Sequence, residues 1–224
     1  AFVSISDRLR RVDKQLARKI EDLPRKRVMR NSRYRQYFGD YITYIYKYVS
    51  KNPEYFELLS WAQMNRNDRA EAEIAAKYKD VKLNGKNLAQ LIEEKNEGLK
   101  KIWEEGVNHG LSIGWLEAYN PRRMANTDAF IEFLQGTPEW SHIDRVLKIM
   151  GVENGTAAEK AMAINKYFRG FEPKDLAAAQ PGNIKHRDIM YVSKALSKFY
   201  KNSYEALMDY ADDMAKAISI KEVF

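Results

Sequence analysis

Cysteine is absent from the 224 residues, which removes disulfides, thiolate metal sites and cysteine nucleophiles together. Proline occurs 6 times and glycine 11 times, too sparsely to break the helix-period apolar spacing that recurs along the chain, so the expected fold is all-α. The longest uncharged apolar stretches, YITYIY at 41–46 and LAAA at 176–179, fall far short of the roughly 20 residues that span a bilayer, so no transmembrane helix is encoded. The start, AFVSISDRLRR, has neither an initiator Met nor a basic region leading into an apolar run, and a piece of a longer chain is expected. Nucleophile-elbow (GxSxG), phosphate-loop (GxxxxGK[ST]) and dinucleotide (GxGxxG) patterns are all missing.

What is present in excess is positive charge, concentrated at one end. Between Asp7 and Arg35 stand twelve cations (Arg8, Arg10, Arg11, Lys14, Arg18, Lys19, Arg25, Lys26, Arg27, Arg30, Arg33, Arg35) against four acids, and the net +7 of the whole chain is smaller than this local excess. Such density points to a polyanion, whether nucleic acid, an anionic membrane surface or an acidic partner. Within it, Lys26, Arg27, Arg30, Arg33, Tyr34 and Arg35 form the candidate nucleic-acid-binding set, with Tyr37 and Phe38 beside them. Arginines supply phosphate contacts and aromatic rings supply stacking surfaces, as single-strand and RNA binders use them. The competing reading is a solvated helix whose tyrosines pack inward.

Further along, Tyr41, Ile42, Tyr44, Ile45, Tyr48 and Val49 form a broad apolar helical face. Asn52-Pro53 ends that helix and caps the next, which is expected from Pro53 to about Tyr78 unless the polar MNRNDRAEAE stretch breaks it. Asn84-Gly85 marks a turn, read as a connection between helices rather than a hairpin. Leu88 to Trp103 continue the helical spacing through about Glu105, and the four glycines Gly98, Gly106, Gly110 and Gly114 make the region after it looser. Helix starts are expected near Thr127, at Pro138 and at Thr156, where Glu159 completes a capping box. The segment 171–185 carries two prolines and a glycine and reads as a linker. Two stripes follow, Ile189, Val192, Leu196, Phe199 and Tyr200, then Leu207, Tyr210, Ala211, Met214 and Ile218. They predict an antiparallel helical hairpin. The expected architecture is an irregular multi-helix bundle divided as 1–50 (basic arm), 51–170 (central domain), 171–185 (linker) and 186–224 (C-terminal hairpin).

Side chains that could carry chemistry are few. His109, His142 and His186 have no ligand partner at metal-helix spacing, so neither metal nor other cofactor is expected. The acid pairs Glu71/Glu73, Glu93/Glu94, Glu104/Glu105 and Asp212/Asp213 do not converge on one substrate atom, because successive helical residues diverge by about 100°, and they read as solvated faces. An enzyme would need carboxylates that meet only in three dimensions. In GWLEAYNPRRM (114–124), Pro121 holds Asn120 extended and turns the chain. Arg122 and Arg123 then read as a structural clamp on orphan carbonyls or a buried acid.

The order Tyr119, Pro121, Arg122, Arg123, then His186-Arg187-Asp188, Phe199-Tyr200, Glu205-Ala206-Leu207, Tyr210, Met214 through Ile218 and Phe224 resembles helical segments of the large polyvalent proteins of bacteriophages and mobile elements. It is strongest over about 115–224 and does not extend to residues 1–110. The family pattern continues past an aromatic pair and Gly, whereas this sequence stops at Phe224, in keeping with a piece of a longer chain. The resemblance implies a non-enzymatic structural or interaction segment, virion-internal or in the host cytoplasm, associated with packaged or ejected DNA. Its partners would be other parts of the parent polypeptide or virion proteins. For the basic arm, DNA or RNA is the expected partner, the alternative function being a dedicated nucleic-acid-binding domain.

Overall fold

A computed structural model describes residues 13–113, 120–137, 140–168 and 192–223. The described residues form an all-α fold: α1 (Lys14–Lys47), a 3-10 turn (Val49–Lys51), α2 (Pro53–Asn65), α3 (Asp68–Lys77), α4 (Leu88–Asn108), α5 (Thr127–Leu134), α6 (Trp140–Ile149), α7 (Ala157–Phe168), α8 (Lys194–Ser197) and α9 (Ser203–Lys221). No helix among them is long and apolar enough to cross a membrane.

Short polar side chains set most of the boundaries. Asp13 accepts from the amides of Gln15 and Leu16 to start α1, and Asn52 accepts from Tyr55 with Pro53 at the first helical position of α2. The polar stretch does break the long helix expected after Pro53. Arg66 takes the left-handed conformation, φ 54°, and Asn67 caps α3 through Ala70. Asn87 and Gln90 form a reciprocal capping box on α4, as Thr156 and Glu159 do on α7. Thr137, expected to cap a helix at Pro138, donates its hydroxyl back to Leu134 at the end of α5, and residues 138–139 lie outside the described residues. Asn84 and Gly85, both at positive φ, make a two-residue turn in which Leu83 and Lys86 exchange both backbone bonds. The turn that joins α3 to α4 is thus also a minimal hairpin.

The contacts gather the chain into two compact units that do not follow sequence order: residues 1–51, 75–115 and 207–224, and residues 52–74 and 116–206. The expected central domain at 51–170 is therefore divided, because its middle third packs with the basic arm and the last helix. The linker expected at 171–185 lies outside the described residues.

In the first unit, α1 buries Tyr34, Phe38, Tyr41, Tyr44 and Ile45 and packs along α4, which buries Leu88, Leu91, Ile92, Leu99 and Ile102. At Gly98 the two helices approach closely: a Cβ built there would lie 2.7 Å from Tyr37 Cβ. Gly98 and Gly106 sit inside the continuous helix as close-approach points, and the chain leaves the helix after Asn108, with Gly110 at φ 78°. The Tyr44 hydroxyl donates to the carbonyls of Tyr78 and Val81, tying α1 to the chain after α3.

The second unit has a core of Met64, Phe130, Leu134, Ile143, Leu147, Ala163, Ile164, Val192, Leu196, Phe199 and Tyr200. Phe130 meets Phe199 and Tyr200 edge-on at 5.8 and 5.9 Å between centroids. Of the first arm of the expected hairpin, the described part is the single turn α8, followed by an antiparallel bridge between Met124 and Tyr200. The stripe residues Val192, Leu196, Phe199 and Tyr200 are buried as expected, but mostly from irregular backbone. Ala125 donates to Phe199, and Lys201 to Arg123, so this backbone finds its partners in the Pro-Arg-Arg segment.

Candidate nucleic-acid interface

The arm residues singled out by charge lie on α1, and the helix divides them by face. Lys26, Arg30 and Arg33 recur at i, i+4 and i+7, with Arg27 beside them. All four meet carboxylates contributed by α4, α9 and the turn that follows α9. Arg27 reaches both oxygens of Asp212, at 3.0 and 2.8 Å. Arg30 donates from Nε to Glu105 at 2.8 Å, and from one terminal nitrogen to the Ser219 hydroxyl at 2.8 Å and to Glu222 at 3.2 Å. Arg33 donates to the other oxygen of Glu105, and Lys26 lies 3.6 Å from Glu222. His109, the C-cap of α4, bonds through Nδ1 with the Glu105 carbonyl and lies 3.9 Å from Glu222.

Exposure within this network is graded. The Arg30 side chain is 11% exposed, while those of Arg27 and Arg33 are 39% and 49% exposed. Burial alone would raise the Glu105 carboxyl, but the Arg30 hydrogen bond and the charges of Arg33 and Arg30 outweigh it and hold the group below its ordinary value. Glu222 behaves likewise, burial being outweighed by the Arg30 hydrogen bond and charge. Burial, then the neighbouring Glu105, push the Tyr34 phenol well above its usual range.

Tyr34 and Phe38 are completely buried, so their rings are closed to a base. Tyr37 is half-buried, with Lys101 5.7 Å over its ring. Arg35 stays exposed and bonds the side chain of Asn31. Lys14, Arg18, Lys19, Arg25 and Arg35 are exposed on α1, as is Lys47 at its end. Near them are the acids Asp13, Glu21 and Asp22 and the exposed apolar side chains Val28 and Met29.

The sequence reading missed the carboxylates. Glu104/Glu105 and Asp212/Asp213 read as solvated pairs, yet only Glu104 of the first pair is exposed; Glu105 turns inward and Asp212 meets Arg27. The divergence of adjacent helical residues was the usable signal, since one member of such a pair can be inward while the other is not. Among the described residues, no group of three or more His, Asp or Glu side chains could hold a metal ion. His186 and the side chain of His142 lie outside the described residues.

In the second unit, Arg122 is 8% exposed and donates from Nε, at 2.8 Å, and from a terminal nitrogen to the carbonyl of Met64. Met64 lies in the last turn of α2, where carbonyls lack intrahelical donors, and Ala62 and Gln63 already accept from Arg66. Arg122 thus caps a helix 58 residues earlier in the chain. Pro121 is buried, Arg123 is half-buried and Tyr119 lies outside the described residues. Compared with known proteins, the chain matches no family model, no curated protein and no solved structure.

Proposed function

We propose that this chain is a non-enzymatic helical interaction segment of a larger phage or mobile-element protein, acting in the virion interior or host cytoplasm beside packaged or ejected DNA. The observation that carries the structural half of this reading is the fate of the arginines. The densest basic stretch of the sequence is engaged as struts between helices, with Arg27, Arg30 and Arg33 each on a carboxylate. A dedicated nucleic-acid-binding domain would leave such a row open to phosphates. The resemblance of residues 115–224 supplies the phage context.

Contact with DNA enters through the exposed cations of α1. Lys14, Arg18, Lys19, Arg25 and Arg35 face solvent, and no fully exposed aromatic lies among them, so they suit phosphates rather than stacked bases. The test is binding to a labelled duplex across a salt series. Five phosphate contacts would give a slope of about −4.5 in log affinity against log salt, and replacing all five cations by Gln should flatten it. Absence of any salt-sensitive binding by the unmodified chain or its variants at low ionic strength would end the DNA half of the reading.

A further inference from the structure

We propose that Arg27 and Arg33 form a second, latched phosphate-binding pair, held closed by the protein's own carboxylates Asp212 and Glu105. The proposal rests on the DNA contact advanced above and names where further affinity is stored. A guanidinium recognises a carboxylate and a phosphate oxygen through the same planar donors, so a carboxylate seated on an arginine occupies the position a phosphate would take. Asp212 covers Arg27 with both oxygens, and Glu105 covers Arg30 with one oxygen and Arg33 with the other.

Exposure separates the latch from its anchor. Arg30 is nearly enclosed and bonds Glu105, Ser219 and Glu222 at once, so it stays in place. Arg27 and Arg33 keep two-fifths and half of their side-chain surface in solvent, and each can exchange its partner by side-chain rotation alone. The helix need not move, because α1 is fixed beyond Arg33 by the buried Tyr34, Phe38, Tyr41, Tyr44 and Ile45. In the closed state the two carboxylates also repel an approaching strand, so neutralising them removes that repulsion and frees two donors. Double-stranded DNA is the fitting partner: the buried Tyr34 and Phe38 leave the pair no rings for base stacking, and the two exposed apolar residues Val28 and Met29 are too few to insert into a lipid surface.

The experiment compares salt slopes on a duplex for the unmodified chain, for Glu105→Gln/Asp212→Asn, which leaves Glu222 and Ser219 on Arg30, and for a charge-matched control, Glu93→Gln/Glu97→Gln, whose acids are exposed on α4. The latch predicts a slope steeper by about 1.8, two added contacts, in the first variant only. Adding Arg27→Gln and Arg33→Gln to it should return the slope to that of the unmodified chain. Should the double variant fail to fold, Asp212→Asn alone leaves the three partners of Arg30 intact and should add about 0.9, one contact. A slope unchanged in a folded variant, matched by the control, or retained after loss of the two arginines overturns the latch while leaving outward-face binding standing. A folded latch variant that binds when the unmodified chain does not supports the latch. No binding by the unmodified chain or by any folded variant overturns both readings.

Discussion

Replacing Gly98 by Ala sets two opposed effects against each other inside one helix. Alanine favours the helix interior over glycine by about 0.8–1.0 kcal/mol. The added Cβ, however, would lie 2.7 Å from Tyr37 Cβ, 3.3 Å from Phe38 Cε1 and 3.4 Å from Tyr37 Cγ. Carbon atoms rest at about 3.5–4.0 Å, and Tyr37 Cβ is fixed to the backbone of α1, so α1 and α4 would have to separate. Overpacking of this kind costs about 1–3 kcal/mol before relaxation, against a propensity gain smaller than that. The expected net loss is about 1 kcal/mol at the middle of a range of roughly 0–2, a fall of about 2–4 °C in melting midpoint. Gly39, within α1, supplies the control: nothing lies within 4 Å of a Cβ built there. Gly39→Ala should therefore stabilise by about 0.5–1 kcal/mol. Thermal unfolding followed by circular dichroism at 222 nm separates the two. A midpoint for Gly98→Ala at or above that of the unmodified chain would refute the close-approach argument, and a loss for Gly39→Ala would show that propensity does not govern the open site.

Other expected outcomes rest on single contacts. Arg122→Ala leaves the Met64 carbonyl without its donor in a buried place and should cost about 1–3 kcal/mol in urea unfolding, with Arg122→Lys recovering only part; no loss would remove the clamp. Glu105 and Glu222 have folded values below their unfolded ones, so their contribution is complete above the unfolded value of about 4.3 and is lost as pH falls through the folded values. Stability should accordingly drop on acidification below that point, and less steeply in Glu105→Gln; identical pH profiles would contradict the assignment. The isolated chain is expected to hydrolyse no nucleic acid, peptide or peptidoglycan, and an activity abolished by one carboxylate substitution would overturn the non-enzymatic reading.

Much of the local structure could be read directly from residue order. Asn52-Pro53, Thr156 with Glu159, and the Leu88–Ile102 stripe specify caps and faces through neighbours three or four residues away, and the helices follow them. The inward turn of Tyr34 and Tyr41 was legible too, as the competing reading of the arm. What could not be read was pairing at long range. Arg27 finds Asp212 across 185 positions and Arg30 finds Glu222 across 192, and no local pattern distinguishes a cation awaiting a carboxylate from one awaiting a phosphate. The same limit hid the two-unit division, because glycines at 98 and 106 look like flexibility until the opposing helix is present.

The first unit is assembled from three stretches of chain that are far apart in order of synthesis, and this bears on how the molecule comes into being. As the polypeptide leaves the ribosome, α1 and α4 can pair once Asn108 has emerged, but Asp212, Ser219 and Glu222 arrive about a hundred residues later. Until then the arginine row is bare, with only Glu105 to meet it. A nascent chain in that interval is a polycation beside ribosomal RNA, whereas the finished one has closed most of that face. Late, sequence-distant contacts of this kind slow folding, so the last helix is expected to govern when the protein ceases to attract stray polyanions.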